Sequence, residues 1–200
     1  MINRLKSLSM MLFSFISLSG MLFADLDDIT IDGKNDDVVI DNKNKDEDKE
    51  KIELDFEEMP DALHPEVEKK AEALEEKAEE KDIDITITSG FRSFEAQDAL
   101  YSKGRSLPGQ VVTNARGGES YHNYGLAIDY AIEADGEVIW NTDYDGNDNG
   151  KSDWFEVADI AKDLGFEWGG DWESFKDYPH LEMTFDYSIR ELQKEYEDQL

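Results

Sequence analysis

The chain has 200 residues, 39% of them hydrophobic, and 49 acidic against 20 basic side chains give it a net charge of −29. That length suits one domain with tails, and the charge excludes a nucleic-acid partner, because phosphate binding needs a basic footprint. The absence of cysteine excludes disulfides, thiolate zinc sites and a cysteine nucleophile, so a metal site has to use His, Asp and Glu.

Arg4 and Lys6 precede the apolar run LSMMLFSFISLSGMLFA, Leu8 to Ala24. A charged start, an apolar centre and a small residue at Ala24 have the layout of a secretory signal. The run also lies near the lower length of a membrane anchor. Residues 1–24 are therefore expected to be a signal peptide or an anchor, with the remainder outside the cytoplasmic membrane. Residues 25–58 hold fifteen Asp or Glu and five Lys. So little apolar surface cannot offset chain entropy, and an acidic disordered linker is expected there.

A folded domain is expected over 59–200. In PEVEKKAEALEEKAEEK, Val67, Ala71, Leu74 and Ala78 recur at helical spacing behind Pro65. DIDITIT alternates Ile83, Ile85 and Ile87 with polar residues, the period of a half-buried strand. SFEAQDALYSKG predicts a helix from the N-cap Ser93 to the terminator Gly104. PGQVVTN and HNYGLAIDYAI predict two strands, EADGEVIWNTDY strand and turn, and DWFEVADIAKDLGF an amphipathic helix closed by Gly165. HLEMTF predicts a last strand and SIRELQKEYEDQL a charged terminal helix or frayed tail. Together these indicate an α+β domain with a small antiparallel sheet.

The chemistry concentrates around His122. Seven residues separate it from Asp129, which would place the two on opposite faces of a continuous strand. They converge only if the chain turns at Asn123-Tyr124-Gly125. A catalytic zinc typically takes three protein ligands and keeps one position for water. His64 stands beside Pro65 at a helix start, where capping or exposure is expected. His180 lies in DYPHLEM with Asp177 three residues earlier. If His122, Asp129 and His180 hold a metal, Asp177 can face the fourth position and act as general base.

Residues 145–156, DGNDNGKSDWFE, fit a second metal pattern, the twelve-residue EF-hand loop. Asp145, Asn147, Asn149, the Lys151 carbonyl, Asp153 and Glu156 fall at its ligand positions, and Gly150 at its turn. A helix is expected directly after the loop, but no entering helix before it. Calcium is the cation such a set of oxygen ligands suits.

The blocks ITSGFRSFEAQDALYSKGR, GQVVTNARGGESYHNYGLAIDY and FEWGGDWESFKDYPHLEM, in this order, carry a family resemblance. The chain from about Pro60 to Phe185 resembles the peptidoglycan-cleaving zinc peptidases that include L-alanyl-D-glutamate endopeptidases and D-alanyl-D-alanine carboxypeptidases. The pattern Ser-x-His-x-x-Gly-x-Ala-x-Asp is filled at Ser120, His122, Gly125, Ala127 and Asp129. The resemblance implies a hedgehog/D-Ala-D-Ala peptidase-like fold with zinc at the sheet, held by His122, Asp129 and His180. Asp177 would serve as base for attack by zinc-bound water. Arg92 would act in catalysis by binding a substrate carboxylate or carbonyl, with Gln97, Ser120 and Trp172 also on the substrate. Trp168, Gly169, Gly170 and Trp172 would form a cleft wall, and Glu182 would orient a zinc-binding histidine. An Asp base and the GGDW block resemble the endopeptidase branch, which implies cleavage of the L-Ala–D-Glu bond in peptidoglycan stem peptides. A D-Ala-D-Ala carboxypeptidase and a non-catalytic calcium-dependent wall-binding module are the alternatives. The resemblance further implies a monomer, secreted or associated with the cell wall.

Overall fold

The computed structural model describes residues 52–199, so the expected signal or anchor and most of the expected linker lie outside the described residues. The first helix, α1 (Pro65–Glu79), begins where His64 caps it: the His64 Nδ1 accepts from the Glu66 backbone N–H at 3.3 Å. Capping is one of the two roles expected of this histidine, the other being solvent exposure. Val67, Ala71, Leu74 and Ala78 form the buried stripe of α1, at the positions the helical period gives.

A turn then leads into β1 (Ile85–Ser89), followed by α2 (Phe94–Ser102), whose N-cap Ser93 Oγ accepts from the Ala96 N–H at 3.2 Å. Beyond α2 the structure departs from expectation. PGQVVTN is not a strand; it is an irregular segment in which Val111 and Val112 are 53% and 58% exposed. Side chains hold it in place of a neighbouring strand. Arg105 donates to Thr113 O at 2.9 Å, and Gln97 Nε2 donates to Thr113 Oγ1 at 3.3 Å and, just beyond the segment, to Ala115 O at 2.9 Å. Two consecutive valines gave the period of a strand without a partner for it.

A short 3-10 turn, Tyr121–Tyr124, ends at Gly125, where φ is +68° and an added Cβ would collide with Ala62 O. Only glycine fits there. The chain then enters the longest strand, β2 (Ala127–Ala134), which turns through Asp135-Gly136 into β3 (Glu137–Ile139). Both turn residues have positive φ, 54° and 81°, as a twist-compatible two-residue hairpin requires. Helix α3 (Asp153–Asp163) follows, then β4 (Glu167–Trp168), β5 (His180–Glu182) and α4 (Ile189–Glu195).

The sheet is antiparallel, ordered β1-β2-β5-β4, with β3 also on β2. Ile128, Tyr130 and Ile132 on β2 are buried among Leu74, Trp154, Val157 and Leu181, in the core shared with α1 and α3. Each such side chain contributes about 1.5–3 kcal/mol by leaving water. On the alternate face of β2 the small Ala127 and Ala131 flank Asp129. Leu54 and Phe56, within the expected linker, also pack on the domain: the Phe56 ring meets Tyr187 and Tyr196 edge-on at 5.3 and 5.4 Å. Packing thus begins earlier in the chain than composition suggests. Among the described residues no helix is long and apolar enough to cross a membrane.

Candidate active site

Asp129 and His180 are register partners on β2 and β5, so their side chains leave the sheet on the same face. A register shift in β1 between Ile87 and Ser89 places Ser89 opposite Asp129 on the other neighbouring strand. His122 comes from the 3-10 turn, which is fastened by the Arg92 N–H donating to His122 O at 3.0 Å. The turn therefore does bring His122 to Asp129, as the seven-residue spacing demanded.

The donor atoms of His122, Asp129 and His180 lie within 4.8 Å of one another. Asp129 Oδ1 is 3.2 Å from His122 Nε2 and 3.2 Å from His180 Nδ1. The outer ring nitrogens fix the tautomers. His122 Nδ1 donates to Gly90 O at 2.8 Å, and His180 Nε2 donates to Glu182 Oε2 at 2.8 Å. Neutral imidazoles held this way turn their lone pairs inward, toward a carboxylate oxygen that also carries lone pairs. Three lone pairs converging on one point repel unless a proton or a cation sits between them. Two imidazoles and a carboxylate, backed by a carbonyl and a second carboxylate, are a donor set that fits zinc.

The titration behaviour follows from the same geometry. Burial works to raise the Asp129 pKa, but hydrogen bonds and charge from His122 and His180 outweigh it and hold the carboxyl well below the usual range. Burial works to lower the His180 pKa, while Asp129 and Glu182 push it up to about 9.

Arg92, Asp177, Trp172 and Ser120 line the same cleft, which has a volume of about 750 Å³. Asp177 is carried on the turn before β5: its N–H donates to Gly169 O at 3.1 Å, and its own carbonyl accepts from the His180 N–H at 3.2 Å. Burial raises its pKa and Asp129 adds to the rise, against His180, His122 and Arg92. The Trp172 ring stands 5.2 Å from that of His180. Arg92 is held by Gln97 Oε1 at 2.8 Å and Ser89 Oγ at 2.7 Å, with Asp129 Oδ2 at 3.6 Å.

Some expected cleft residues lie elsewhere. Gln97 is 1% exposed and sits behind Arg92, its amide shared between the guanidinium and the 113–115 segment. It positions Arg92 instead of facing substrate. Trp168 is buried against Phe155 and Tyr178 and belongs to the core. Gly169 permits a close approach, but of the chain to itself: a Cβ there would meet Asp177 O at 2.6 Å.

One residue carries more than the sequence reading gave it. Asn123, read only as part of a turn, is fully buried. Its Oδ1 accepts from Gly118 N–H at 2.9 Å and its Nδ2 donates to Arg92 O at 2.8 Å, tying the His122 turn to the Arg92 segment. The available signal was an amide directly beside the candidate ligand His122. The loop 145–156 leads into α3, as expected, and contributes no residue to this cleft.

Residues 113–183 match a family model described as D-alanyl-D-alanine carboxypeptidase. That span holds His122, Asp129, Asp177 and His180. Over 126 residues the chain is 64% identical to the peptidoglycan L-alanyl-D-glutamate endopeptidase CwlK of Bacillus subtilis, covering 62% of this chain and 75% of that protein. It is 34% identical over 108 residues to an L-alanyl-D-glutamate peptidase of a Listeria phage, covering 54% of this chain and 33% of the other. Among solved structures it is similar to the Serratia marcescens L-Ala D-Glu endopeptidase ChiX, at 25% identity and a TM-score of 0.44, over 62% of this chain and 82% of that one.

Proposed function

The chain belongs to the family of peptidoglycan peptidases that contains the L-alanyl-D-glutamate endopeptidases and D-alanyl-D-alanine carboxypeptidases, and from that premise we propose that it hydrolyses the L-Ala–D-Glu bond of peptidoglycan stem peptides outside the cytoplasmic membrane. The observation that carries this reading is the convergence of the His122, Asp129 and His180 donor atoms at the floor of the cleft that Arg92 and Asp177 line. Identity of 64% to an endopeptidase supports the choice of bond. The charged start and apolar run ending at Ala24 support the location.

Zinc would be held by His122 Nε2, Asp129 and His180 Nδ1, and when bound it would supply Lewis acidity toward a carbonyl and lower the pKa of water to about 7. The remaining roles belong to side chains. Asp177, its pKa raised by burial, takes a proton from the attacking water and passes it to the amine that leaves with the D-Glu fragment. Arg92 presents a guanidinium already oriented by Gln97 and Ser89, with further N–H donors for a stem-peptide carboxylate or carbonyl. Glu182 keeps His180 in the tautomer that points Nδ1 inward. Trp172 and Ser120 supply wall on which the peptide rests.

Asp177→Ala is expected to retain zinc and to lose release of peptide fragments from purified peptidoglycan by about 100-fold or more. An undiminished rate would remove Asp177 from the reaction. The family model's description favours a second reading, a D-Ala-D-Ala carboxypeptidase. Mass spectrometry of digested muropeptides separates the two: an endopeptidase leaves fragments with a new D-Glu amino terminus, and a carboxypeptidase releases free D-alanine.

A further inference from the structure

The loop before α3 contains an unsatisfied charge that the peptidase site does not use. Asp153 is 1% exposed, its Oδ2 accepts from the Gly146 N–H at 2.9 Å, and its Oδ1 has no hydrogen-bond partner. A buried carboxylate oxygen without a partner is destabilising, because it has lost its water and gained no donor. Its surroundings worsen the position: beyond burial itself, Asp145 and Glu156 both act to raise its pKa. Among the described residues no Lys or Arg nitrogen makes an ion pair with Asp145, Asp153 or Glu156.

The loop is folded around this spot. Asp145 Oδ1 and Oδ2 accept from the Asn149 and Gly150 N–H groups at 3.1 and 2.9 Å. Gly150 has φ +84°, at the position where a twelve-residue calcium loop turns sharply. Glu156 reaches back across the loop, its Oε2 accepting from the Asn147 and Asn149 amides at 3.3 and 2.7 Å. Asp145, Asn147, Asn149 and Glu156 are thus drawn together by the loop's own hydrogen bonds, the two amides turning their Nδ2 groups toward Glu156, and Asp153 keeps one buried carboxylate oxygen unpaired.

We propose that residues 145–156 bind one calcium ion, with oxygens of Asp145, Asn147, Asn149, Lys151, Asp153 and Glu156 as ligands, and that the ion braces the start of α3. Hard oxygen ligands that include two neutral amides and a backbone carbonyl suit calcium at extracellular concentrations. The brace is connected to the peptidase cleft. Phe155, in the first turn of α3, packs edge-on against Trp168 at 5.5 Å and Tyr178 at 6.1 Å, and Trp168 Nε1 donates to Tyr178 O at 2.8 Å. Tyr178 follows Asp177 directly.

The test uses the full zinc-loaded chain, freed of other divalent ions, titrated with calcium chloride by calorimetry and by thermal melting at constant ionic strength. The expected result is one calcium per chain with Kd of about 0.1–1 mM, and a Tm rise of about 3–10 °C at about 10 mM. Glu156→Gln and Asp145→Asn are each expected to abolish the rise while leaving zinc content unchanged. Absence of binding heat and of any Tm shift in the parent would overturn the site. So would an undiminished shift in both variants, or an equal shift with magnesium chloride, since either marks general screening of the acidic surface.

Discussion

Asp129 Oδ1 stands at hydrogen-bond distance from two inward-facing ring nitrogens, and in the metal-free protein a proton on His180 relieves the conflict. The pH dependence follows with a definite sign. The folded-state pKa of His180 is about 9, above its ordinary 6.5. Its contribution to stability is therefore complete below about pH 6.5 and is lost as pH rises through about 9. Asp129 has the opposite sign: its pKa is depressed, so its contribution holds above the ordinary carboxylate value and is lost in acid. Chelator-treated protein is expected to lose several degrees of Tm between about pH 6.5 and 9. Zinc-loaded protein should not follow it down, because the metal replaces that proton. A Tm of the chelated protein that stays flat over this range would contradict the geometry. These residues were legible through the ordered family blocks: three histidines exist and one stands at a helix start, but spacing alone left the other two open to a purely structural role. The role of Gln97 was not legible. An amide on a helix reads the same whether it faces substrate or holds an arginine from behind.

Elements with a strong period, α1, α3 and the hairpin strand β2, were evident from sequence because burial of one face dictates the spacing. Two-residue β4 was not, since no period can be read from Glu167–Trp168. The irregular 108–114 segment misled for the reverse reason: its valines lie on the surface, and Thr113 is held by side chains, its carbonyl by Arg105 and its hydroxyl by Gln97. The meeting of β4, the turn after it and β5 is where an element-scale change should be most selective. An added methyl at Gly169 collides with Asp177 O at 2.6 Å and approaches the Cβ atoms of Asp177 and His180 at 3.1 Å. Gly169→Ala is expected to lower kcat by about 10-fold or more through displacement of the Asp177 turn, and to cost about 1–3 kcal/mol of stability by overpacking. Kinetics on a soluble stem peptide beside a denaturation curve will check it. A variant with parental kcat would show that the turn yields without moving the carboxylate.

The molecule as a whole carries a charge of −29. Against a polymer rich in carboxylates, such a surface repels at long range, while the cleft mouth offers Arg92 and the exposed apolar groups Val111, Val112, Trp140 and Phe175. Raising sodium chloride from about 0.05 to 0.3 M shortens the range of that repulsion to below about 10 Å. The rate on intact sacculi is accordingly expected to rise several-fold, and the rate on a short soluble stem peptide to change much less. Parallel rates on the two substrates would exclude surface charge as the barrier.

The pairing of Asp129 with His180 across β2 and β5 has a consequence for assembly of the protein. Sliding either strand by one residue would carry its ligand to the far side of the sheet. The same slip in β2 would turn Ile128, Tyr130 and Ile132 away from the core, so a misthreaded chain would lose its packing and the convergence of the three donor side chains together. With zinc in the proposed site, metal retention would double as proofreading of strand alignment, and only molecules threaded correctly would be armed.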